Sequence, residues 1–212
     1  MTAIGNTVLA GFFVLLLSTH TFASELHIAV KAGDLAKVER LVANGADVNE
    51  RARDRITPLH VAADAGDLDM MKWLIKKGAD VDAIAKHDAT PLHWASFKGH
   101  TAAAALLVAR GANVNARNKI GMTPLHWAAF GGFRSVAIML LEHGADINAQ
   151  NNAGGTPLHV AAAKGYVATA QMLLERGALV NAKDNRSETP LQWYKDEGSM
   201  NMEKLLRRFG GK

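Results

Sequence analysis

The chain contains no cysteine. Disulfides, thiolate metal sites, cysteine nucleophiles and lipid attachment through cysteine are thereby excluded. No HExxH, GxSxG, GxxxxGK(S/T) or DxDxDG pattern occurs either, so the common zinc-peptidase, serine-hydrolase, phosphate-loop and calcium-loop signatures are missing. Side-chain charge is absent from residues 1–24; the first is Glu25. The apolar run in that stretch, Val8 to Leu17, has ten residues, well short of the roughly 18–20 that a membrane-spanning helix needs. It fits the apolar region of a secretory signal, and Thr21-Phe22-Ala23 resembles a small-x-small cleavage site. Residues 1–23 are expected to form a leader cleaved after Ala23. Because MTAIGNT carries no Lys or Arg, an uncleaved N-terminal anchor over residues 4–23 is the alternative. What remains is ordinary: 49% apolar and 21% charged residues, with 24 Lys+Arg against 20 Asp+Glu for a net charge of +4. This is the composition of a folded chain of one or two domains, not of a disordered tail.

Proline is scarce, and all five prolines occupy one slot. Thr-Pro-Leu begins at Thr57, Thr90, Thr123, Thr156 and Thr189, each 33 residues after the last. The fourth residue is His60, His93, His126, His159 and then Gln192; one period earlier, Ser24-Glu25-Leu26-His27 keeps Leu and His. Glycines follow at Gly33, Gly66, Gly99, Gly132, Gly165 and Gly198, and again twelve residues later from Gly45 to Gly210. Thr is a good N-cap and Pro is favoured at the first helical position. Leu with Ala-Ala makes a short helix with a small face. The first Gly allows a left-handed turn between two antiparallel helices, and the second ends the outer helix. Gly-Ala-Asp-Val-Asn at Gly45–Asn49 and its counterparts then form turns held by Asp and Asn side chains.

These residues resemble the ankyrin repeat, with its TPLH-x-A signature on a 33-residue period. The resemblance covers residues 24–212, in repeats near 24–53, 54–86, 87–119, 120–152, 153–185 and 186–212. It implies an all-α solenoid of stacked helix–turn–helix units with β-hairpin-like fingers. Gly two residues before Thr is usual in the family; Gly121 and Gly154 keep it, whereas Arg55, Asp88 and Ser187 do not. Lys37 and Arg40 at one end, and Glu203 and Arg207 at the other, replace apolar residues of the internal repeats, as polar caps of a solenoid should.

The histidine ladder invites a metal reading, but stacked helices lie about 8–10 Å apart, too far for successive rungs to share a zinc ion bound at about 2.0–2.1 Å. The ladder is read as backbone-bonded, with no metal, no cofactor and no catalytic residues. A His60–Asp64 dyad has no nucleophile beside it. Specificity is instead expected where the repeats differ. Seven residues after each motif start stand Lys31, Asp64, Phe97, Phe130, Ala163 and Asp196; three residues earlier stand Ile28, Val61, Trp94, Trp127, Val160 and Trp193. Trp94 and Trp127 fit half-buried positions between repeats, whereas the slot of Phe97 and Phe130 holds charged residues elsewhere and so tolerates water. Spacing of three on a helix predicts that Trp94 meets Phe97 and Trp127 meets Phe130. Ile120 and Met122 extend the patch onto a finger, and a fringe including Arg53, Arg55, Lys86 and Lys119 surrounds it.

The expected partner is therefore a protein client with an acidic or mixed surface, steered by that fringe where it is acidic, and gripped by the concave face and fingers of repeats 2–4. Neither nucleic acid nor a small-molecule substrate is expected, and a membrane only if the leader is uncleaved. The localisation expected is periplasmic or secreted. The alternatives are a regulator, inhibitor or protector, of a periplasmic or secreted enzyme, and a secreted effector binding a host protein. The resemblance suggests the latter because exported ankyrin-like proteins are familiar mainly from bacteria, including symbionts and pathogens. One sequon, Asn185-Arg186-Ser187, lies on the last finger.

Overall fold

Each Thr-Pro-Leu motif opens a helix in the same way. In a computed structural model describing residues 25–194 and 200–212, Thr57, Thr90, Thr123, Thr156 and Thr189 sit in extended backbone at the N-cap, followed by Pro in the first turn. The imidazole three residues on folds back over this cap. Its Nδ1 accepts the Thr backbone N–H at 3.1–3.3 Å in four repeats, the part usually played by Glu or Gln in a capping box. In the last repeat Gln192 Oε1 takes that bond from Thr189 at 2.8 Å.

The inner helices are α1 (25–31), α3 (Pro58–Ala65), α5 (Pro91–Lys98), α7 (Pro124–Gly131), α9 (Pro157–Ala163) and α11 (Pro190–Trp193). The outer helices are α2 (Leu35–Ala43), α4 (Leu68–Lys76), α6 (Thr101–Ala109), α8 (Arg134–Glu142), α10 (Val167–Glu175) and α12 (Met200–Arg208). Inner helices from α3 to α11 pack side by side, outer helices from α4 to α12 do likewise, and each outer helix of that series packs on its own inner partner. The core lies between the layers. Leu59, Leu92, Leu125 and Leu158 of the motif, and Leu74, Leu107, Leu140 and Leu173 of the outer helices, are completely buried. Small Ala62-Ala63, Ala128-Ala129 and Ala161-Ala162 are buried too and let neighbouring helices approach closely. No helix among the described residues is long and apolar enough to cross a membrane; residues 1–23, expected to form a leader, lie outside the described residues, as does Asp196.

Two sets of bonds fasten one repeat to the next. On the inner side, Nε2 of His27, His60, His93, His126 and His159 reaches the carbonyl of Ile56, Ala89, Met122, Gly155 and Glu188 at 2.9–3.2 Å. Each acceptor is the residue just before the next Thr. On the outer side, Asn49 donates to Gly78 O and accepts from Asp80 N, and Asn115 does the same with Gly144 and Asp146. The outer helices end as the glycine spacing predicts. In α2 the N–H of Gly45 (φ +99°) bonds Val42 O and that of Ala46 bonds Leu41 O, both at 3.0 Å, and the pattern recurs after α4, α6, α8 and α10.

The fingers are tight loops, and no strand is formed among the described residues. Each is closed by two backbone bonds: from Ala52, Ala85, Asn118, Asn151 and Asp184 N–H to the carbonyl four residues later, at 2.9–3.0 Å, and from the N–H three residues later back to the carbonyl of that same first residue, at 2.8–3.0 Å. Where the first residue has an acceptor side chain, that oxygen accepts two further N–H groups: Asn118 Oδ1 from Ile120 and Met122, Asn151 Oδ1 from Ala153 and Gly155, and Asp184 Oδ1 from Arg186 and Glu188. Ala52 and Ala85 offer none. Their fingers instead place two successive residues in the left-handed region: Asp54 and Arg55 (φ 62° and 61°), and His87 and Asp88 (φ 59° and 58°). The missing glycines at Arg55, Asp88 and Ser187 thus leave the backbone unchanged in hand, at a cost of about 1–2 kcal/mol per residue.

Candidate functional site

The irregular slots come together on the inner helices, beside the fingers. Phe97 and Phe130 are 36% and 38% exposed and lie 6.1 Å apart between ring centroids. Phe97 also meets Trp127 edge-on at 5.2 Å. The expected pairing within one helix is not what forms: among the described residues no ring contact joins Trp94 to Phe97 or Trp127 to Phe130. A helical side chain leans back toward the N-terminus of its helix, and each Trp stands edge-on to the ladder histidine of the preceding repeat. The centroid distances are 5.4 Å for Trp94 on His60, 6.0 Å for Trp127 on His93 and 5.0 Å for Trp193 on His159. The indoles are half-buried packing groups with one side left over.

For Trp94 and Trp127 that side faces a cavity of about 640 Å³, lined by Trp94, Phe97 and Trp127 from the helices and by Ile56, Ala89 and Ile120 from the fingers. Two ion pairs also line it, Lys86–Asp54 at 3.3 Å and Lys98–Asp64 at 3.4 Å, together with His87 and Asn118. Of the residues singled out from sequence, Trp94, Phe97, Trp127, Ile120 and Lys86 line this cavity. Arg55 and Lys119 line a second, fingertip basin of about 430 Å³ with Asp54, Lys86, His87 and Asp88. Phe130, Met122 and Arg53 line neither. Phe130 lies under the Lys164 ammonium, 4.1 Å from its centroid. Half-buried Met122 spends its carbonyl on His93 and its N–H on Asn118.

The cationic fringe is partly neutralised. Arg55 pairs with Asp88 at 2.7 Å and donates to Ala85 O; Lys86 pairs with Asp54. The sparse acids of the fingers stand opposite these cations, which a sequence count of charges does not reveal. Among the described residues Arg51, Arg53 and Lys119 have no ion-pair partner. Among the residues that sequence reasoning missed are Asp54, Ile56, His87 and Asn118. For three of them the signal was a place in the finger in register with residues already singled out: Asp54 and His87 stand at successive 33-residue steps before Ile120, and Ile56 and Ala89 before Met122; Asn118 had no such signal.

The ladder histidines are occupied structural groups. Nδ1 accepts the Thr N–H and Nε2 faces a carbonyl, so the neutral Nε2–H tautomer satisfies both. Burial holds His60, His93 and His126 down to about 4, against the raising effect of the Nε2–carbonyl bond. Burial lowers His159 as well. His60 therefore has no nitrogen left for Asp64, whose carboxylate pairs with Lys98. No group of three or more His, Asp or Glu among the described residues could hold a metal ion.

One of the polar atoms beside the cavity is stranded. In the last finger Trp193 Nε1 donates to Asp184 Oδ2 at 2.9 Å. Burial pushes the Asp184 carboxyl up, but bonds from Glu188 N–H, the Trp193 indole and Arg186 N–H, with the Arg186 charge, outweigh it and hold the pKa below its usual value. The counterpart of Asp184 two repeats earlier is Asn118. Its Oδ1 is taken by the finger, and its other polar atom is a donor. Trp127 Nε1 is consequently buried with no hydrogen-bond partner among the described residues. The sequon amide of Asn185 is engaged as well, donating to Asn152 O at 3.0 Å.

A family model for ankyrin repeats (3 copies) matches residues 26–118 and again residues 116–184. The chain belongs to the ankyrin repeat family. Ankyrin repeats are generic protein–protein interaction modules, typically non-catalytic. A search of curated proteins finds no match to this chain.

Proposed function

We propose that this chain is an exported, non-catalytic interaction module of six repeats that grips a protein client with the concave face and fingers of repeats 2–4. The observation that carries it is the exposed pair Phe97 and Phe130, in a slot that holds Lys31 and Asp64 in the repeats before them. A large apolar side chain kept in water beside a cavity is a contact group rather than a packing group. Export is supported by the uncharged, apolar start of the sequence, and N-terminal sequencing of the protein from its native cell is expected to begin at Ser24.

The binding reading is tested in two steps. A photo-crosslinking residue at Ile120, which is 56% exposed, identifies the client in the native cell. Phe97→Ala with Phe130→Ala is then expected to weaken binding to that client by about 2 kcal/mol, roughly thirtyfold, while thermal unfolding stays close to that of the parent. Unchanged affinity, or a double variant that melts far lower, overturns the assignment. If the client is an enzyme whose rate changes on binding, the module is its regulator, and the same two phenylalanines should be needed for the rate change.

A further inference from the structure

We propose that the aromatic cavity and the fingertip basin act as one bipartite peptide site. It takes a large apolar side chain in the cavity and, within two residues of it, a carboxylate at the fingertips. This rests on the interaction-module reading and names the chemistry of the client segment.

The two hollows are contiguous. Asp54, Lys86 and His87 line both, so a segment leaving the cavity along the fingers enters the basin directly. Because the hollows share these walls, the site as proposed needs only one or two residues of extended chain, at about 3.3 Å each, between anchor and acid. The cavity has the size and lining of a side-chain pocket: about 640 Å³, walled by Trp94, Phe97 and Trp127, within the range of about 300–1,000 Å³ typical of ligand sites.

Charge decides the second half. In the basin Arg55 is matched by Asp88 and Lys86 by Asp54. Lys119 also lines the basin and has no ion-pair partner among the described residues. The basin therefore carries one uncompensated positive charge, which a carboxylate matches and a basic side chain does not. The Lys86–Asp54 pair is solvent-exposed at both ends, and exposed pairs are worth at most about 1 kcal/mol, so the Lys86 ammonium is free to turn to an incoming acid. The frame around it is fixed. Lys119 N–H bonds His87 O at 2.7 Å, tying the third finger to the second, and Arg55 Nη2 bonds Ala85 O at 3.0 Å, tying the second to the first. A pre-formed site spends less of its binding energy on ordering itself.

The test is selection from a phage-displayed library of random linear 12-mers on the immobilised full chain. The expected consensus is a large apolar residue with Asp or Glu within two positions. A synthetic consensus peptide should lose at least tenfold in affinity when the anchor becomes Ala, and likewise when the acid becomes its amide. Lys119→Glu changes an exposed side chain, and its unfolding curve should match the parent; it should reject the acidic consensus and select Lys or Arg at that position. No consensus, a consensus lacking the acid, or equal binding of the acidic peptide by Lys119→Glu overturns the bipartite site. In those cases the wider reading still stands if the cross-linked client needs Phe97 and Phe130. It falls with the bipartite site only if the double variant binds that client unchanged.

Discussion

Two rows of side chains run along the inner helices, and they obey opposite rules. His60, His93, His126 and His159 are one residue repeated, completely buried, with both ring nitrogens engaged. Four positions further along the same helices, Asp64, Phe97, Phe130 and Ala163 change with every repeat or two and keep contact with water. Recurrence marks positions whose polar atoms must find partners inside the stack. Variation marks those released from that demand, where recognition can be written without harm to the fold.

The largest way to break this contrast is acid. Unfolded histidine titrates near 6.5, whereas folded His60, His93 and His126 resist protonation until about pH 4. Between these values the unfolded chain binds more protons, so stability is fully present above about pH 6.5, drains as pH falls and levels off below about 4. Each of the three contributes on the order of 3 kcal/mol. Urea midpoints measured from pH 7.5 to 4 should fall steeply; a flat profile would mean that the ladder is not neutral and buried.

Next in size is a single rung. His126→Ala strands the Thr123 N–H, takes from the Gly155 carbonyl the second of its two bonds and leaves a void, and should cost about 3 kcal/mol or more by urea unfolding at pH 7.5. Phe97→Ala, on the same kind of helix, should cost under about 1 kcal/mol. His126→Gln, copying Gln192, should recover part of the loss and flatten the pH profile. Comparable losses for His126→Ala and Phe97→Ala would erase the distinction between the rows.

The smallest effect tests whether a break in recurrence can also be a flaw inside the core. Ser96 occupies the slot of Ala63, Ala129 and Ala162, and its Oγ is buried with no partner among the described residues. Ser96→Ala should stabilise by about 1 kcal/mol, read as a higher urea midpoint with unchanged slope.

The period was legible because each framework slot answers a local demand: Thr-Pro for a cap, Gly for a left-handed turn, Leu for the interior. Gly45 and its successors terminate helices as their spacing predicts, and the exposure of Phe97 and Phe130 followed from the charged residues sharing their slot. The finger conformations were less legible, because they depend on whether the first residue is Ala85 or Asn118, a difference that matters only once the loop closes. Likewise the lean of Trp127 onto His93, and its stranded indole nitrogen, depend on the neighbouring repeat and not on its own helix.

By itself, then, the order of residues determined the repeated unit, its caps, its buried ladder and the helix face on which the odd aromatics stand, since these follow from backbone chemistry within one period. Only the stacked structure decided that Lys86 meets Asp54 and Arg55 meets Asp88, that Lys119 is left over, and that Trp94, Phe97 and Trp127 enclose a cavity with Ile56 and Ile120. Those outcomes rest on distances of a few ångströms between side chains about 30 residues apart, and such distances are set by how repeats pack, not by what any one repeat contains.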